Sequence, residues 1–287
     1  MSGKYIKSEA MDGAFLLTMH DPSTRNALND EMLVEFDYEL NRFESNPKLK
    51  VLILTGTDPS FCSGANVREM SSGINQKSPE TNPGHETPWD LLQQSWDQQS
   101  AEARRPKDLV DGIRSLPLKL HNLQKPSIAA VNGPAIGLGM GIALSCDIRF
   151  ASEKASFAEM FVQRGLIPAD GSCWHLPRMI GIGNTLMLQY TGDKLNAHQA
   201  EQMGIVNLIT DHDELINITL NFAQRLSKGA TFSMALTKKL VHQSLNTNFA
   251  ESLMLAGPAQ QIARRTKDHK EGVNAFIEKR TPKFKGT

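Results

Sequence analysis

The chain has 287 residues, 40% of them hydrophobic, which is enough to bury a sizeable core in one large domain or in a domain with an appendage. Its 31 Lys plus Arg balance 31 Asp plus Glu, so no net charge attracts the chain to nucleic acid or to an anionic membrane. No apolar stretch reaches the length of a membrane helix, and the first residues lack the pattern of a signal peptide, so we expect a soluble protein.

The three cysteines give no sign of a metal site. Cys62, Cys146 and Cys173 are scattered, and their spacing matches no set of metal ligands. An odd number of thiols builds no disulfide framework, which favours a reducing compartment. We therefore expect a cytoplasmic protein without a metal ion.

The first predicted elements are a strand over residues 15–19, a polar turn over residues 20–23 and a helix. Asn29 is a plausible N-cap, since its side chain can accept a hydrogen bond from an unpaired amide of the first helical turn. Apolar residues then recur at the spacing of one helical face: Met32, Leu33, Phe36, Leu40 and Phe43.

Two apolar strands, over residues 51–55 and 127–131, each lead into a turn of small residues. The second turn has glycines at every second position where a helix begins: Gly137, Gly139 and Gly141. Unpaired N–H groups cluster at such places, so each junction could give one donor to a single developing oxyanion. The alternative is that the glycines only let a helix pack closely on a strand. Their spacing does not match a dinucleotide-binding fingerprint.

On these two turns, the chain resembles the crotonase, or enoyl-CoA hydratase/isomerase, superfamily from about Asn26 onward. The resemblance implies an α/β fold: a crotonase-like spiral of strand-strand-helix repeats over residues 1–205, interrupted by an insertion at 71–110. A helical C-terminal region over residues 206–287 would make a homotrimer or a dimer of trimers. The implied substrate is an acyl-CoA, and no cofactor is bound because CoA is carried by the substrate.

The resemblance also implies site residues. Matching motif to motif places the two oxyanion-hole amides at Ala65 and Leu138. The candidate CoA contacts are Arg25, Ala27, Ala65, Asn66, Val67, Arg68, Lys283 and Phe284. Without CoA, Arg25 reads as a solvent-facing turn residue, and the basic tail that contains Lys283 reads as a solvated end.

The acid–base group is where the chain departs from the hydratases of the family. Their two glutamates match Gly141 and Phe161, and neither residue can transfer a proton. Other members, isomerases, carry a single carboxylate in the later turn. There this chain has Ala169 at the matching position and Asp170 one residue later.

Asp170 is our candidate base, and its alternative role is an N-cap for the helix that contains residues 174–179. His175 and Glu159 are weaker candidates, since His175 lies in an apolar helix and Glu159 would have to reach inward from a strand with apolar neighbours.

The preferred function is an enoyl-CoA isomerase, in which Asp170 moves a proton between carbons of an enolate held at Ala65 and Leu138. One alternative is an enoyl-CoA hydratase that uses Asp170, an ordered water and an unidentified acid. An alternative of another class is a catalytically weak CoA-thioester-binding protein.

Two further segments are predicted to be helical. The insertion contains a helix near residues 89–103, in which Trp89, Leu92 and Trp96 share one face that we expect to pack against another part of the protein. The insertion as a whole is either a lid over the acyl pocket or a passive insertion. The C-terminal region holds three amphipathic helices, over residues 214–226, 230–245 and 248–265.

Overall fold

The computed structural model describes residues 3–66, 87–102 and 112–287. The strands in these ranges are β1 (Ile6–Met11), β2 (Ala14–Met19), β3 (Val51–Gly56), β4 (Ser127–Val131), β5 (Pro134–Ile136), β6 (Ile148–Ser152), β7 (Ser156–Ala158), β8 (Leu195–Asn196) and β9 (Leu208–Thr210). The helices are α1 (Asp30–Ser45), α2 (Pro88–Glu102), α3 (Ser115–Asn122), α4 (Leu138–Ser145), α5 (Ser172–Thr191), α6 (Ala197–Gln202), α7 (Leu215–Ser227), α8 (Thr231–Ser244), α9 (Phe249–Arg264) and α10 (Lys267–Ile277).

The strands form two sheets. The main sheet has the order β1-β2-β3-β4-β6-β9, in which only β1 and β2 pair antiparallel, and the second sheet has the order β5-β7-β8. Along the chain, β4 joins the main sheet, the next strand, β5, joins the second sheet, and α4 follows. The same order repeats with β6, β7 and α5. The predicted α/β spiral of strand-strand-helix repeats is therefore confirmed.

Both faces of the main sheet are covered. On one face Leu52 and Leu54 of β3 pack in the same cluster as Phe36 of α1. On the other face Ile53 packs in a second cluster with Leu215 of α7. A parallel strand that is buried on both faces has no solvent-facing side, and this is why β3 and β4 are mainly apolar without alternation. Their two buried hydroxyls, of Thr55 and Ser127, are hydrogen-bonded.

The helix starts and stops follow local sequence signals. The Asn29 side chain accepts a hydrogen bond from the Met32 N–H at 2.8 Å, which confirms the predicted N-cap of α1. Asn196 and Gln199 form a reciprocal capping box at the start of α6. Within α5 the backbone of Gly181 has a φ of 78° and a ψ of 161°, so this glycine breaks the helix into two parts.

The C-terminal region contains α7 to α10 among the described residues. We predicted three helices there, and the structure adds a fourth, α10, which begins at a Thr266 cap whose hydroxyl accepts the His269 N–H at 3.0 Å. Beyond residue 205, our predicted domain boundary, β9 extends the main sheet and α7 packs on it. The division into two domains stays a prediction.

The helix predicted in the insertion is present as α2. Trp89 and Trp96 are 76% and 53% exposed, so α2 does not bury the apolar face that we predicted to pack. No helix of the described ranges combines the length and the apolar composition that crossing a membrane requires.

Candidate active site

The first part of the candidate site is the loop that follows β3. Leu28 and Ala65 form an isolated parallel bridge, in which the Leu28 N–H donates to the Gly64 carbonyl oxygen at 2.8 Å and the Asn66 N–H donates to the Leu28 carbonyl oxygen at 3.1 Å. These bonds fix the backbone on both sides of Ala65 and leave its own N–H out of the pairing. In the part of the chain that the structure describes, the Ala65 N–H has no acceptor.

The same loop packs against β5 and α4. The Cys62 N–H donates to the Pro134 carbonyl oxygen at 3.1 Å, and the Ile136 N–H donates to the Cys62 carbonyl oxygen at 3.0 Å. A Cβ at Gly139 would overlap the Cys62 carbonyl oxygen, so only a glycine lets α4 approach the loop this closely.

The second part of the site is the start of α4. This helix begins at Leu138, directly after Gly137, whose φ of 51° turns the chain out of the strand. The Leu138 N–H belongs to the first helical turn, which has no intrahelical acceptor, and no other described residue accepts from it. A Cβ built on Gly64 would lie 3.7 Å from the Leu138 nitrogen. The structure thus brings the two unpaired amides of Ala65 and Leu138 to one junction.

The carboxyl group of Asp170 packs against α4 one helical turn beyond Leu138. Leu138, Gly141 and Ser145 share one face of the helix, since they are three and seven residues apart. A Cβ at Gly141 would lie 2.6 Å from Oδ2 and 2.7 Å from Cγ of Asp170. The Asp170 carboxyl therefore fills the space in which a larger residue at position 141 would carry its own side chain.

Asp170 is held by the start of α5. It is 2% exposed, and its Oδ1 accepts the Ser172 N–H at 3.0 Å and the Ser172 hydroxyl at 2.7 Å. Its Oδ2 is buried and has no partner among the described residues. Burial raises the pKa of this carboxyl, although the bonds from Ser172 oppose the shift.

The predicted N-cap role of Asp170 is only partly correct. The capping residue of α5 is Gly171, with a φ of 92°, and no side chain caps it. Asp170 precedes the cap and still accepts the amide of the first helical residue, Ser172, with one oxygen. The other oxygen, Oδ2, accepts no hydrogen bond from any described residue.

The side chain of Glu159 is buried close to Asp170, contrary to our expectation. We expected apolar neighbours to disfavour an inward glutamate, yet Glu159 is 1% exposed, and its Oε2 lies 3.1 Å from the Ser172 hydroxyl. Its Oε1 has no partner in the described part of the chain. Burial first, and then the charge of Asp170, raise the pKa of Glu159 well above 4.5. A glutamate within the apolar stretch 157–162 is the signal that could have found it.

A cavity of about 480 Å³ adjoins the carboxyl group of Asp170. Its walls come from α3, the end of α4 and the start of α5, and they include Pro117, His121, Ser145, Trp174 and His175. Burial lowers the pKa of His121 to about 4 and that of His175 to about 3, so both imidazoles are neutral at physiological pH. His175 is a buried histidine packed edge-on against Trp174.

The second glutamate position of the hydratases carries no acid here. Phe161 stands there, and its ring packs 3.4 Å from where a Cβ of Gly137 would lie. With Gly141 and Phe161 at the two glutamate positions, the buried carboxyls that the described part of the chain brings to this site are those of Asp170 and Glu159.

The candidate CoA contacts fall into two groups. Arg25 and Ala27 adjoin Asn66 and the Ala65 loop, because the Arg25 carbonyl oxygen accepts the Ser63 N–H at 3.1 Å. Arg25 has a φ of 59° and is exposed, as a turn residue is.

The second group, on the C-terminal tail, packs against α10. The Lys283 N–H donates to Glu271 of α10 at 2.8 Å, and the ring of Phe284 lies 3.4 Å from where a Cβ of Gly272 would be. Val67 and Arg68 lie outside the described residues.

Fold and site together define an α/β protein in which two unpaired backbone amides lie at the start of α4 and a buried carboxyl packs against the same helix one turn further on. Comparison with known proteins assigns the family. A sequence model described as enoyl-CoA hydratase/isomerase matches residues 9–97 and 95–287. The chain therefore belongs to the enoyl-CoA hydratase/isomerase family, within the crotonase superfamily, and it is an enzyme of the hydratase/isomerase type.

Three similar proteins illustrate the range of the family. The 1,2-epoxyphenylacetyl-CoA isomerase of Escherichia coli is 30% identical over 283 residues, which are 99% of each chain. The short-chain-enoyl-CoA hydratase of Clostridium acetobutylicum is 30% identical over 92% of this chain and 91% of its own. The crystal structure of an enoyl-CoA hydratase from Bacillus anthracis superposes with a TM-score of 0.83 at 26% identity, over 99% of this chain and 100% of that one.

Proposed function

We propose that this protein shifts a double bond in an enoyl-CoA thioester by proton transfer. In this proposal the Ala65 and Leu138 N–H groups hold the thioester oxygen, and Asp170 carries the proton. One observation supports the assignment above the others: a buried Asp170 carboxyl, with Oδ2 unpartnered, occupies the side-chain space of Gly141 one turn from the Leu138 amide.

The proposed reaction needs one carboxylate and two donors. The two amides polarise the thioester carbonyl, and Asp170 Oδ2 removes a proton from the α- or γ-carbon. The electron pair of that C–H bond moves onto the carbonyl oxygen as an enolate. Asp170 then returns the proton to the other carbon, so atoms and charge balance without a second acid. Burial raises the pKa of Asp170 above its ordinary value, which makes its carboxylate a stronger base.

The cavity beside Asp170 is our proposed acyl pocket. Its volume of about 480 Å³ and its aromatic wall at Trp174 suit a short or ring-bearing acyl group. A relative named for 1,2-epoxyphenylacetyl-CoA isomerisation supports a ring-bearing substrate. The adenine end of CoA would lie by Arg25 and Ala27, next to Asn66.

We propose that the chain works as a homotrimer or a dimer of trimers. Large apolar side chains on the C-terminal helices are exposed in the single chain, among them Phe249, Met254 and Phe276. Contacts between subunits would cover such a surface. Lys283 and Phe284 would then serve the CoA of a neighbouring subunit. The free thiols of Cys62, Cys146 and Cys173 support a reducing location such as the cytoplasm.

Water addition is the second candidate. It needs an acid besides Asp170, and the buried carboxyl of Glu159 beside the same serine is the observation that favours it. A relative named as a short-chain-enoyl-CoA hydratase fits this alternative. A binding protein without activity is less well supported, because it gives no reason to keep an unpartnered carboxyl oxygen buried at this junction.

Product analysis separates these functions. The purified protein is incubated with short-chain and phenyl-bearing enoyl-CoA thioesters, and the products are examined by mass spectrometry and NMR. We expect an isomer of unchanged mass. A product heavier by one water would identify a hydratase, and calorimetry that shows no preference for thioesters over free acids would contradict both activities.

A further inference from the structure

Two buried carboxyls meet at one hydroxyl. The Ser172 Oγ lies 2.7 Å from Asp170 Oδ1 and 3.1 Å from Glu159 Oε2. The second oxygen of each acid is buried without a partner among the described residues. A single O–H cannot donate fully to both acids, so the arrangement constrains which acid carries a proton.

The hydrogen bonds around Ser172 assign that proton. A hydroxyl donates once and accepts twice. The Gln189 Nε2 donates to Ser172 Oγ at 3.3 Å, while the Gln189 Oε1 faces the Cys173 thiol at 3.7 Å. The shorter contact, to Asp170, suits an O–H donor on an ionised carboxylate. Glu159 then faces the remaining lone pair of Ser172, where only a protonated acid makes a hydrogen bond.

We propose that Glu159 is a positioning residue of this enzyme: it stays protonated, donates to Ser172, and thereby directs the Ser172 hydroxyl onto Asp170, which stays ionised with Oδ2 free for the substrate. This inference rests on the proposed role of Asp170 as the base. Glu159 acts through Ser172 and need not touch the substrate.

The surroundings of the pair favour one negative charge. In the described part of the chain, no lysine or arginine pairs with either carboxyl. The titratable neighbours are Cys173, whose pKa burial raises, and His175, whose imidazole is neutral. His121 of α3, which is neutral as well, lines the same cavity, and so does the exposed Arg114, just before α3. A second carboxylate would therefore be buried without a directly paired cation among the described residues, and the pKa of Glu159 is accordingly raised.

The ionisation of the pair also sets a pH dependence. When the pH rises through the raised pKa of Glu159, this acid loses its proton, the two carboxylates repel each other, and both then compete for the single Ser172 O–H. We therefore expect kcat to fall on the alkaline side. In Glu159→Gln the amide N–H replaces the acid O–H as donor to Ser172 and cannot ionise, so we expect the alkaline fall of kcat to disappear.

Ser172→Ala is the second variant, and it changes the acidic side of the pH profile of kcat. Asp170 then loses an O–H donor to its charged form, so its pKa rises and the acidic limb of kcat moves to higher pH. A merely structural role of Ser172 or Glu159 would lower the amount of folded enzyme and leave the shape of the profile unchanged. Glu159→Gln changes the alkaline limb of the pH profile and Ser172→Ala changes the acidic limb. Either variant therefore tests the inference if the other does not fold.

Infrared spectroscopy of the protein at neutral pH locates the proton without turnover. We expect the carbonyl band of a protonated carboxylic acid to be lost in Glu159→Gln and kept in Asp170→Asn. A band lost only in Asp170→Asn, together with wild-type pH profiles in Glu159→Gln and Ser172→Ala, would overturn the inference. Full turnover in Asp170→Asn would instead refute the proposed function itself.

Discussion

Gly141→Ala tests whether the position of Asp170 matters for catalysis. The added Cβ would lie 2.6 Å from Asp170 Oδ2, so the carboxyl must retreat by about 0.8 Å to reach ordinary contact at 3.4 Å. Asp170 has little room to do so, because Ser172 binds its other oxygen and Gly171 fixes the turn. A catalytic group misplaced by about 1 Å can cost roughly a hundredfold in rate, and we expect a fall in kcat of that order.

The stability of Gly141→Ala is the balance of two effects. Overpacking costs typically about 1 to 3 kcal/mol, whereas alanine in place of glycine favours a helix by about 1 kcal/mol. We therefore expect a net loss of about 0 to 2 kcal/mol in the free energy of unfolding, measured by urea denaturation. The fall in kcat should then exceed what unfolding explains.

Gly183→Ala is the matched control. Gly183 is an exposed helical residue of α5, and a Cβ built there meets nothing within 4 Å. This variant should gain up to about 1 kcal/mol in stability and keep the wild-type kcat. If Gly141→Ala also keeps the wild-type kcat on the substrate found by product analysis, the Asp170 carboxyl does not act where we propose.

Three further predictions concern the amides, the tail and the buried acid. Gly64→Ala places a side chain at a φ of 95° and 2.8 Å from the Ile136 carbonyl oxygen, so the Ala65 loop and the start of α4 should separate. We expect kcat to fall by about 100-fold or more, and a wild-type kcat would contradict the role of the two amides. Phe284→Ala should raise KM for CoA thioesters and leave kcat unchanged, and an unchanged KM would remove the tail from the CoA site. The raised pKa of Glu159 stabilises the fold below about pH 4.5, and this contribution is lost as pH rises. Glu159→Gln should therefore gain stability over wild type as pH increases from 4.5, and a difference independent of pH would contradict this assignment.

The sequence predicts the fold well where a single local signal decides. Residues 51–55 and 127–131 are mainly apolar because β3 and β4 are buried on both faces, and Asn29 caps α1 with its own side chain. Helix α10 was missed because its polar sequence contains a glycine, and its order depends on the folded-back tail, whose Lys285 and Gly286 amides donate to Asp268.

The site was predictable only in part, for a physical reason. A resemblance aligns backbone positions, so it indicates Ala65 and Leu138, whose amides need no particular side chain. It does not show that a missing side chain at Gly141 leaves room for Asp170 from another element. Nor does periodicity show that Glu159 reaches inward, since its burial depends on sharing Ser172 with Asp170.

The most direct test of the central claim is exchange of substrate protons with deuterated water. The wild-type protein and Asp170→Asn are each incubated with the enoyl-CoA thioester that product analysis identifies, and deuterium at the α- and γ-carbons is followed by NMR. Asparagine keeps the size and the Ser172 bond of aspartate but cannot take a proton, so exchange should slow by about a hundredfold or more while thioester affinity barely changes. Exchange in Asp170→Asn at the wild-type rate would show that another group moves the proton.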